Sequence, residues 1–256
     1  MNKILIVGGD SYIGRALKEF WSCKKFSLYS TSRKSELHDE IFFDLQNPDF
    51  SIFSSNYDFI VFLAGITNIK YCIDHPDLSE LINVKNTIEA LTFFDKLSPN
   101  ILFISSADVF DGSEPRESIY SKQSPKNLYG QQKTLVEKFI IKELANTSIL
   151  RLSKVVDQEL PLLQQWRDDI SEGKCIYPYV NKYLSPTNIE IVLNKINFIR
   201  QNNKSKLYHC SGDDDISYFD YAVNYLKFDK NLIIPTHGPS GIEKNYFSSL
   251  KDDDFN

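Results

Sequence analysis

The stretch that decides the fold lies at the amino terminus, where residues 3–14 read KILIVGGDSYIG. An apolar run leads into a turn with Gly8, Gly9 and Gly14, and residues with helical spacing follow. Gly8 suits a tight turn and Gly14 suits close packing of helix on strand, while Ser11 stands where the middle glycine of such a turn is usual. The turn predicts a strand–turn–helix unit whose backbone N–H groups bind a dinucleotide pyrophosphate. The alternative is a turn that needs glycine only for steric reasons, with Ser11 as the helix cap.

Working outward, short apolar runs alternate with longer segments of helical periodicity. The predicted strands are residues 3–7, 27–31, 41–43, 59–64, 101–105 and 148–152, and the predicted helices are residues 13–21, 78–97 and 128–145. Strands that alternate with helices form right-handed crossovers in a parallel sheet. We therefore predict an α/β fold with a Rossmann-type, doubly wound parallel sheet and a ligand crevice at the carboxyl ends of its strands.

The alternation becomes less regular after residue 152. The later elements are predicted helices at residues 161–173, 188–201 and 218–226, a strand at residues 207–210 and a solvated acidic tail at residues 251–256. Residues 1–152 are predicted to form the dinucleotide-binding Rossmann domain. Residues 153–256 are assigned mainly to a small α/β substrate-binding lid, with parts of residues 185–205 packing on the Rossmann domain.

The composition narrows the classes of function. Of the 256 residues, 42% are hydrophobic and 25% are charged, which is typical of a globular enzyme-sized chain and excludes a disordered or fibrous protein. The net charge of −5, without a Lys/Arg-rich run, argues against a nucleic-acid partner. Four cysteines without a CxxC pair predict no metal site and no disulfide framework. The first apolar run is too short for a signal peptide or a membrane span, so we expect a cytoplasmic protein without a membrane partner.

Residues after the second and third predicted strands bear on the cofactor. Ser32 and Arg33 stand where an NAD-preferring site usually has an acidic residue. A guanidinium suits the 2′-phosphate of NADP because its planar fork binds phosphate with two hydrogen bonds. We therefore predict NADP(H), with NAD(H) as the alternative and a solvent-facing role as the alternative for Arg33. Asp44, followed by Leu45, could accept from an adenine amino group or cap the next turn.

The fifth predicted strand and the following helix carry three side chains suited to reducing a ketone. Ser106 ends the strand, and Tyr129 and Lys133 lie four residues apart on one helix face. A free tyrosine has a pKa near ~10, so a neighbouring Lys133 cation would favour the phenolate. Tyr129 would donate a proton while Ser106 binds the developing oxyanion. The Tyr-x-x-x-Lys spacing is common by chance, and its position at the strand ends gives it weight.

Together these residues resemble the extended short-chain dehydrogenase/reductase superfamily, and more closely its dTDP-4-dehydrorhamnose reductase family. Residues 105–112, SSADVFDG, are similar to that family's Ser-Thr-Asp-Tyr-Val-Phe-Asp-Gly run, with Ser106 at the catalytic hydroxyl. Residues 64–68, AGITN, resemble its substrate-side loop. The similarity covers most of the chain, and Ala107 and Asp108 depart from it by replacing the Asp-Tyr pair.

The resemblance implies a reaction and a set of site residues. The reaction is NADPH-dependent reduction of a nucleotide-linked 4-keto-6-deoxy sugar in surface polysaccharide biosynthesis, with Ser106, Tyr129 and Lys133 as catalytic residues. The implied cofactor-binding residues are Gly8, Asp10, Ser11, Tyr12, Ile13, Gly14, Ser32, Arg33, Asp44, Leu45, Ala64, Gly65 and Lys133. Thr67 and Asp108 are the implied substrate-binding residues.

Several alternatives stay open from the sequence. An epimerase or a dehydratase could use the same fold, and so could a non-catalytic dinucleotide-binding regulatory subunit. Asp108 could be a shorter form of the carboxylate with which the superfamily's dehydratases abstract a proton, or simply a turn residue. The resemblance also implies a homodimer, without indicating its contact.

Overall fold

The computed structural model describes residues 2–37, 39–53, 56–156, 161–202, 206–224, 230–238 and 245–252. Its strands are β1 (Asn2–Val7), β2 (Phe26–Ser32), β3 (Ile41–Phe42), β4 (Phe59–Phe62), β5 (Ile101–Ser106), β6 (Thr147–Leu152), β7 (Tyr183–Leu184), β8 (Leu207–Cys210) and β9 (Ile216–Ser217). Its helices are α1 (Tyr12–Ser22), α2 (Ile69–Asp74), α3 (Pro76–Glu80), α4 (Thr87–Asp95), α5 (Leu128–Glu143), α6 (Pro161–Ser171), α7 (Ile189–Asn202) and α8 (Tyr218–Asn224). A π-helical segment (Leu81–Asn86) joins α3 to α4, and 3-10 turns lie at Phe50–Ile52, Ala107–Val109 and Lys230–Leu232.

Seven strands form one parallel sheet in the order β3-β2-β1-β4-β5-β6-β8. The chain winds outward from β1 in one direction and then from β4 in the other, so the order reverses between these two strands. In open α/β sheets, ligands bind outside the carboxyl ends of the strands at such a reversal. The predicted α/β, doubly wound Rossmann-type fold is confirmed.

The central strands are buried on both faces, which explains their continuous apolar sequences. Along β1, Leu5 and Val7 face the side covered by α4 and α5, while Ile4 and Ile6 face the side covered by α1 and α7. The period-2 alternation of a strand therefore divides one apolar run between two cores. This packing fixes β1, and with it the start of the glycine-rich turn, in the middle of the sheet.

The carboxyl-terminal part of the chain contributes to both the main sheet and a second, two-stranded sheet. β7 and β9 pair antiparallel in a separate two-stranded sheet, whose Leu184 packs with Trp166 of α6 and Tyr218 of α8 in a third apolar cluster. By contrast, β8 joins the main sheet beside β6. The predicted helix at residues 218–226 extends from Tyr218 to Asn224, and its last two residues lie outside the described part of the chain.

The acidic tail is attached to the body rather than wholly solvated. Asp252 pairs with the Lys195 ammonium at 2.5 Å, and the Lys195 side chain is completely buried in α7. A buried ammonium needs a nearby negative charge to offset its lost hydration. The expectation of a solvated tail is therefore wrong at Asp252, whereas residues 253–256 lie outside the described residues.

The predicted helix at residues 78–97 is interrupted in the structure. The π-helical segment widens it, and the Thr87 hydroxyl donates to the Ile82 carbonyl, five residues earlier, at 2.7 Å. A local change from α to π geometry is too small to disturb an apolar pattern read over twenty residues.

Within the described residues, no helix combines the length and the apolar character that crossing a membrane requires.

Candidate active site

A cavity of about 1020 Å³ lies at the carboxyl ends of the main-sheet strands. It is lined by Ser106, Asp108 and Tyr129 on the side of β5 and α5, and by Lys182 and Tyr246 from the carboxyl-terminal part of the chain. Pockets for small ligands usually measure ~300–1,000 Å³, so this one has room for a ligand of cofactor or nucleotide-sugar size. The predicted serine and tyrosine thus meet at one cavity.

The glycine-rich turn has the geometry that its sequence predicts. Gly8 adopts a positive φ of 93°, and its N–H donates to the Thr31 hydroxyl at 3.1 Å. A Cβ on Gly14 would lie 2.5 Å from the Gly8 carbonyl oxygen, so a side chain there would force the backbone apart. Ser11 caps α1, because its hydroxyl accepts from the Gly14 N–H at 3.1 Å. The turn therefore brings the amino terminus of α1 close to the end of β1, and this cradle fits a pyrophosphate.

The predicted adenosine-side residues lie around that turn. Ser32 is buried and its hydroxyl accepts from the Lys34 N–H at 3.0 Å, while Arg33 is exposed. The Lys34 ammonium lies 3.7 Å from the Asp10 carboxylate. Asp44 caps a turn by accepting from the Gln46 N–H at 2.9 Å, which is the second of its two predicted roles. These contacts leave the Arg33 guanidinium accessible.

Of the remaining predicted cofactor residues, Ile13 lies at the cavity and Leu45 does not. Tyr12 and Ile13 open α1, whereas Leu45 is buried in the core. Ala64 and Gly65 follow β4, where Gly65 has a φ of 147°.

Asn83 holds the loop after β4 in place, a role that the sequence did not reveal. Its amide oxygen accepts from the Ile66 N–H at 2.7 Å, and its amide nitrogen donates to the Ile66 carbonyl at 2.9 Å and to Gln132 Oε1 at 2.8 Å. Asn83 is buried in the π-helical segment. Since Thr67 of the same loop lines the cavity, Asn83 positions one wall of the site. The signal in the sequence that could have indicated this role is a polar residue, Asn83, within an otherwise apolar helical stripe.

Lys133 lies behind the cavity wall rather than in it. Its ammonium donates to the Ile104 carbonyl at 2.9 Å and lies 4.4 Å from the centre of the Phe103 ring. The same nitrogen is 5.8 Å from the centre of the Tyr129 ring, and Tyr129 and Ser106 both line the cavity. The structure therefore brings the three predicted catalytic residues together, with Ser106 and Tyr129 in front and Lys133 behind them.

The electrostatics of Tyr129 differ from the expectation. Burial is the main cause that raises the pKa of Tyr129 above its ordinary value, the negative charge of Asp108 adds to it, and the Ser106 hydrogen bond opposes it. Burial also lowers the pKa of Lys133 to about 8, against the opposing effect of Glu137. The expectation that Lys133 lowers the pKa of Tyr129 is therefore wrong for this arrangement, because the ammonium points to the Ile104 carbonyl. The phenol is held in its protonated form at neutral pH.

Asp108 lies at the centre of the polar contacts in the cavity. Its carboxylate accepts from the Ser106 hydroxyl at 2.8 Å and from the Asn127 amide at 3.0 Å, and Tyr246 lines the same cavity. The Ser106 hydroxyl in turn accepts from the Asp108 N–H at 3.1 Å, as in a turn. Asp108 thus both shapes the 3-10 turn and presents a negative charge to the ligand space.

The carboxyl-terminal part of the chain supplies cavity residues that were not predicted from the sequence. The Lys154 ammonium donates to the Tyr218 hydroxyl at 3.1 Å. The Lys182 ammonium lies 5.7 Å from the Tyr218 ring centre and 5.6 Å from that of Tyr246. The Pro- and Tyr-rich stretch at residues 175–186 was a signal, but only the fold shows which of its side chains face the cavity.

Within the described residues, no group of three or more His, Cys, Asp or Glu side chains could hold a metal ion.

Comparisons with known proteins agree with this architecture. The family described as RmlD substrate binding domain matches residues 1–238. No curated protein matches the sequence significantly.

Solved structures with the same fold share little sequence with the chain. A dTDP-4-dehydrorhamnose reductase from Bacillus anthracis in complex with NADP is 18% identical with a TM-score of 0.83, and the match covers 99% of this chain and 91% of that one. The Yersinia enterocolitica dTDP-4-dehydrorhamnose reductase is 21% identical with a TM-score of 0.83, covering 100% and 92%. DesIV, a dTDP-glucose 4,6-dehydratase from Streptomyces venezuelae with NAD and TYD bound, is 13% identical with a TM-score of 0.80, covering 98% and 88%.

Proposed function

Since the chain belongs to the RmlD substrate binding domain family, we propose that it is an NADPH-dependent reductase of a nucleotide-linked 4-keto-6-deoxy sugar. The observation that carries the proposal is that Ser106 and Tyr129 meet on the wall of a large cavity, with Lys133 directly behind them. This arrangement suits the transfer of a proton to a carbonyl oxygen. The family's reductases, and the resemblance of residues 105–112 to them, support a sugar nucleotide as the substrate.

The cofactor site is proposed at the glycine-rich turn. The positive φ of Gly8 and the close approach of Gly14 to the Gly8 carbonyl form a cradle that a side chain would fill, as a pyrophosphate site requires. Gly8, Ser11 and Gly14 would hold the pyrophosphate, and the exposed Arg33 would bind the 2′-phosphate of NADP. When bound, the nicotinamide would supply hydride to the carbonyl carbon. NADP or NAD in the solved neighbours supports this assignment.

The protein's own residues would handle the proton and the developing charge. Because burial and Asp108 keep the Tyr129 phenol protonated, it can donate its proton to the carbonyl oxygen. Ser106 would hydrogen-bond that oxygen as negative charge develops on it. Lys133, held by the Ile104 carbonyl, would support the wall from behind the phenol. The lid would keep water away from the reacting carbon.

The chemistry of the lid side favours a substrate with a diphosphate and a base. Lys126, Lys154 and Lys182 line the cavity and can neutralise phosphate charges. The rings of Tyr218 and Tyr246 lie among them and offer flat faces to a base or a sugar. The dTDP-sugar enzymes among the solved neighbours support a deoxysugar nucleotide. Its use for a surface polysaccharide is part of the proposal and follows from the resemblance alone.

The proposal is tested by the stoichiometry of cofactor oxidation. Purified protein is mixed with NADPH and a dTDP-linked 4-keto-6-deoxy sugar, and NADPH absorbance and sugar products are followed together. We expect one NADPH to be oxidised for each sugar reduced. Sugar conversion without lasting oxidation would support an epimerase or a dehydratase instead. Binding of NADPH with no conversion of any nucleotide sugar would support a regulatory subunit.

A further inference from the structure

A second polar cluster lies directly behind the active site and is sealed from solvent. At its centre is the carboxylate of Glu137, whose side chain is completely buried. It accepts from the Ser105 hydroxyl at 2.5 Å and from the Gln123 amide at 2.5 Å. It also accepts from the Arg151 guanidinium, at 2.6 Å from Nη2 and 3.1 Å from Nε. One carboxylate thus joins α5 to β5, to β6 and to the segment before α5.

The cluster connects the elements that carry the proposed catalytic residues. Ser105 immediately precedes Ser106 on β5, and Glu137 lies one helical turn beyond Lys133 on α5. The hydrogen bond from Ser105 therefore fixes the strand that presents Ser106 relative to the helix that presents Tyr129, and the bonds from Arg151 attach the neighbouring strand β6 to the same helix. Charge-assisted hydrogen bonds in a buried site are short and directional, which suits this use.

Few charged or titratable groups surround Lys133. On its own helix it faces Tyr129 and Glu137, and from α2 it faces the buried Cys72 thiol. From β6, Arg151 acts on it through its ion pair with Glu137.

The other neighbours of Lys133 are uncharged. β5 contributes the Ile104 carbonyl and the Phe103 ring. Burial disfavours the ammonium, so a nearby carboxylate has a large effect on its charge. Glu137 is the carboxylate in this position.

We propose that Glu137 is a positioning residue of the active site, which locks the Ser106 strand to the Tyr129 helix and keeps Lys133 positively charged at neutral pH. The proposal rests on the proposed function for the role of those three residues. Its physical content, the charge of Lys133, can be measured without any substrate. A purely structural Glu137–Arg151 pair would leave that charge unaffected.

Three variants separate the charge of Glu137 from the integrity of the cluster. Glu137→Gln keeps the size and removes the negative charge. Arg151→Lys keeps both charges and disturbs the geometry of the ion pair. Glu143→Gln removes a carboxylate near the end of the same helix, where its side chain is 45% exposed, and is the matched control.

The direct measurement is an NMR titration of the Lys133 ammonium in isotopically labelled protein. The Lys133 signal is assigned as the one that disappears in Lys133→Arg. Lys133 of the wild type should titrate near pH 8. In Glu137→Gln the midpoint should fall by about one pH unit, whereas Arg151→Lys and Glu143→Gln should stay near the wild type. An unchanged midpoint in Glu137→Gln, or an equal fall in Arg151→Lys, would overturn the proposal.

The same variants are then assayed for sugar-nucleotide reduction across pH. The pH at which kcat/KM falls on the alkaline side should be lower in Glu137→Gln than in the wild type, and unchanged in the other two variants. Glu137→Asp should restore part of this shift toward the wild-type value. If the NMR midpoint moves but the wild type reduces no sugar nucleotide, Glu137 has its role and the proposed function fails. If Glu137→Gln does not fold, the double variant Glu137→Met, Arg151→Met replaces the ion pair by apolar side chains. Proteins often tolerate such a replacement of a buried ion pair. Lys133 should again titrate at lower pH, and an unchanged midpoint would refute the role.

Discussion

Arg33 is the residue on which the preference for NADP(H) depends. It follows the buried end of β2 and its guanidinium is exposed beside the glycine-rich turn. A charge-assisted hydrogen bond to phosphate is worth ~1.5–3 kcal/mol, so Arg33→Ala should weaken NADPH binding by roughly tenfold or more. NADH binding, measured by the same fluorescence titration, should change little.

The control for this prediction is Lys25→Ala, an exposed cation beyond the end of α1. It should leave both cofactor affinities unchanged, because long-range effects of one surface charge are screened by salt. If Arg33→Ala weakens NADPH and NADH equally, Arg33 has no specific contact with the 2′-phosphate.

At the residue scale, the sequence predicted which side chains lie together, but not how they change one another's protonation. Ser106 and Tyr129 could be placed together because one ends a strand and the other begins the next helix. The protonation of Tyr129 could not be predicted, since it depends on burial and on Asp108, whose carboxylate approaches through the turn at Ala107–Val109. The direction of the Lys133 ammonium likewise depends on a backbone carbonyl that a sequence does not place.

At the element scale, the glycine-rich turn offers a matched pair of substitutions. A Cβ on Gly14 meets the Gly8 carbonyl oxygen at 2.5 Å, whereas one on Gly173, after α6, meets nothing within 4 Å although its φ is 73°. Gly14→Ala should lower the free energy of unfolding by ~1–3 kcal/mol through overpacking. It should also weaken dinucleotide binding, because the turn must open.

Gly173→Ala is the control for that experiment. Its strained φ should lower the free energy of unfolding by ~1–2 kcal/mol while leaving the turn intact. Denaturant unfolding and cofactor titration measure both effects. A Gly14→Ala protein that binds NADPH as tightly as Gly173→Ala would show that the turn does not hold the pyrophosphate.

Most elements could be predicted because apolar periodicity and parallel-sheet packing act locally. The strands at residues 3–7 and 101–105 were found nearly to the residue, since each is buried on both faces. The π-helical segment could not be predicted, because one widened turn leaves the apolar stripe almost unchanged. That turn places Asn83 against the loop after β4, so the missed feature belongs to the site.

At the scale of the whole molecule, the carboxyl-terminal segment connects the loop at Gly112 to strand β7. The Phe247 N–H donates to the Gly112 carbonyl at 2.8 Å, and the Tyr183 N–H donates to the Tyr246 carbonyl at 2.7 Å. Tyr246 lines the cavity together with Asp108, and burial, together with Asp108, raises the pKa of this phenol. Contacts between residues so distant in the chain depend on the finished packing, so they cannot be predicted from the sequence.

Tyr246→Phe should weaken substrate binding without affecting the cofactor. The change removes a hydroxyl from the cavity lining. One lost hydrogen bond to the substrate is worth ~0.5–1.5 kcal/mol, so KM for the sugar nucleotide should rise about two- to tenfold. Steady-state kinetics and an NADPH titration check both parts. Tyr120→Phe, at a side chain that is 88% exposed, should behave as the wild type. A rise in KM of equal size in both variants would remove Tyr246 from the substrate site.

The central claim is that the Tyr129 phenol gives its proton to a ketone beside a bound dinucleotide. Turnover of NADPH with the sugar nucleotide, compared between the wild type and Tyr129→Phe at equal cofactor saturation, measures this most directly. We predict a loss of about 10²–10⁴-fold in kcat with nearly unchanged NADPH affinity, since only the proton donor is removed. A Tyr129→Phe protein that turns over like the wild type would contradict the account.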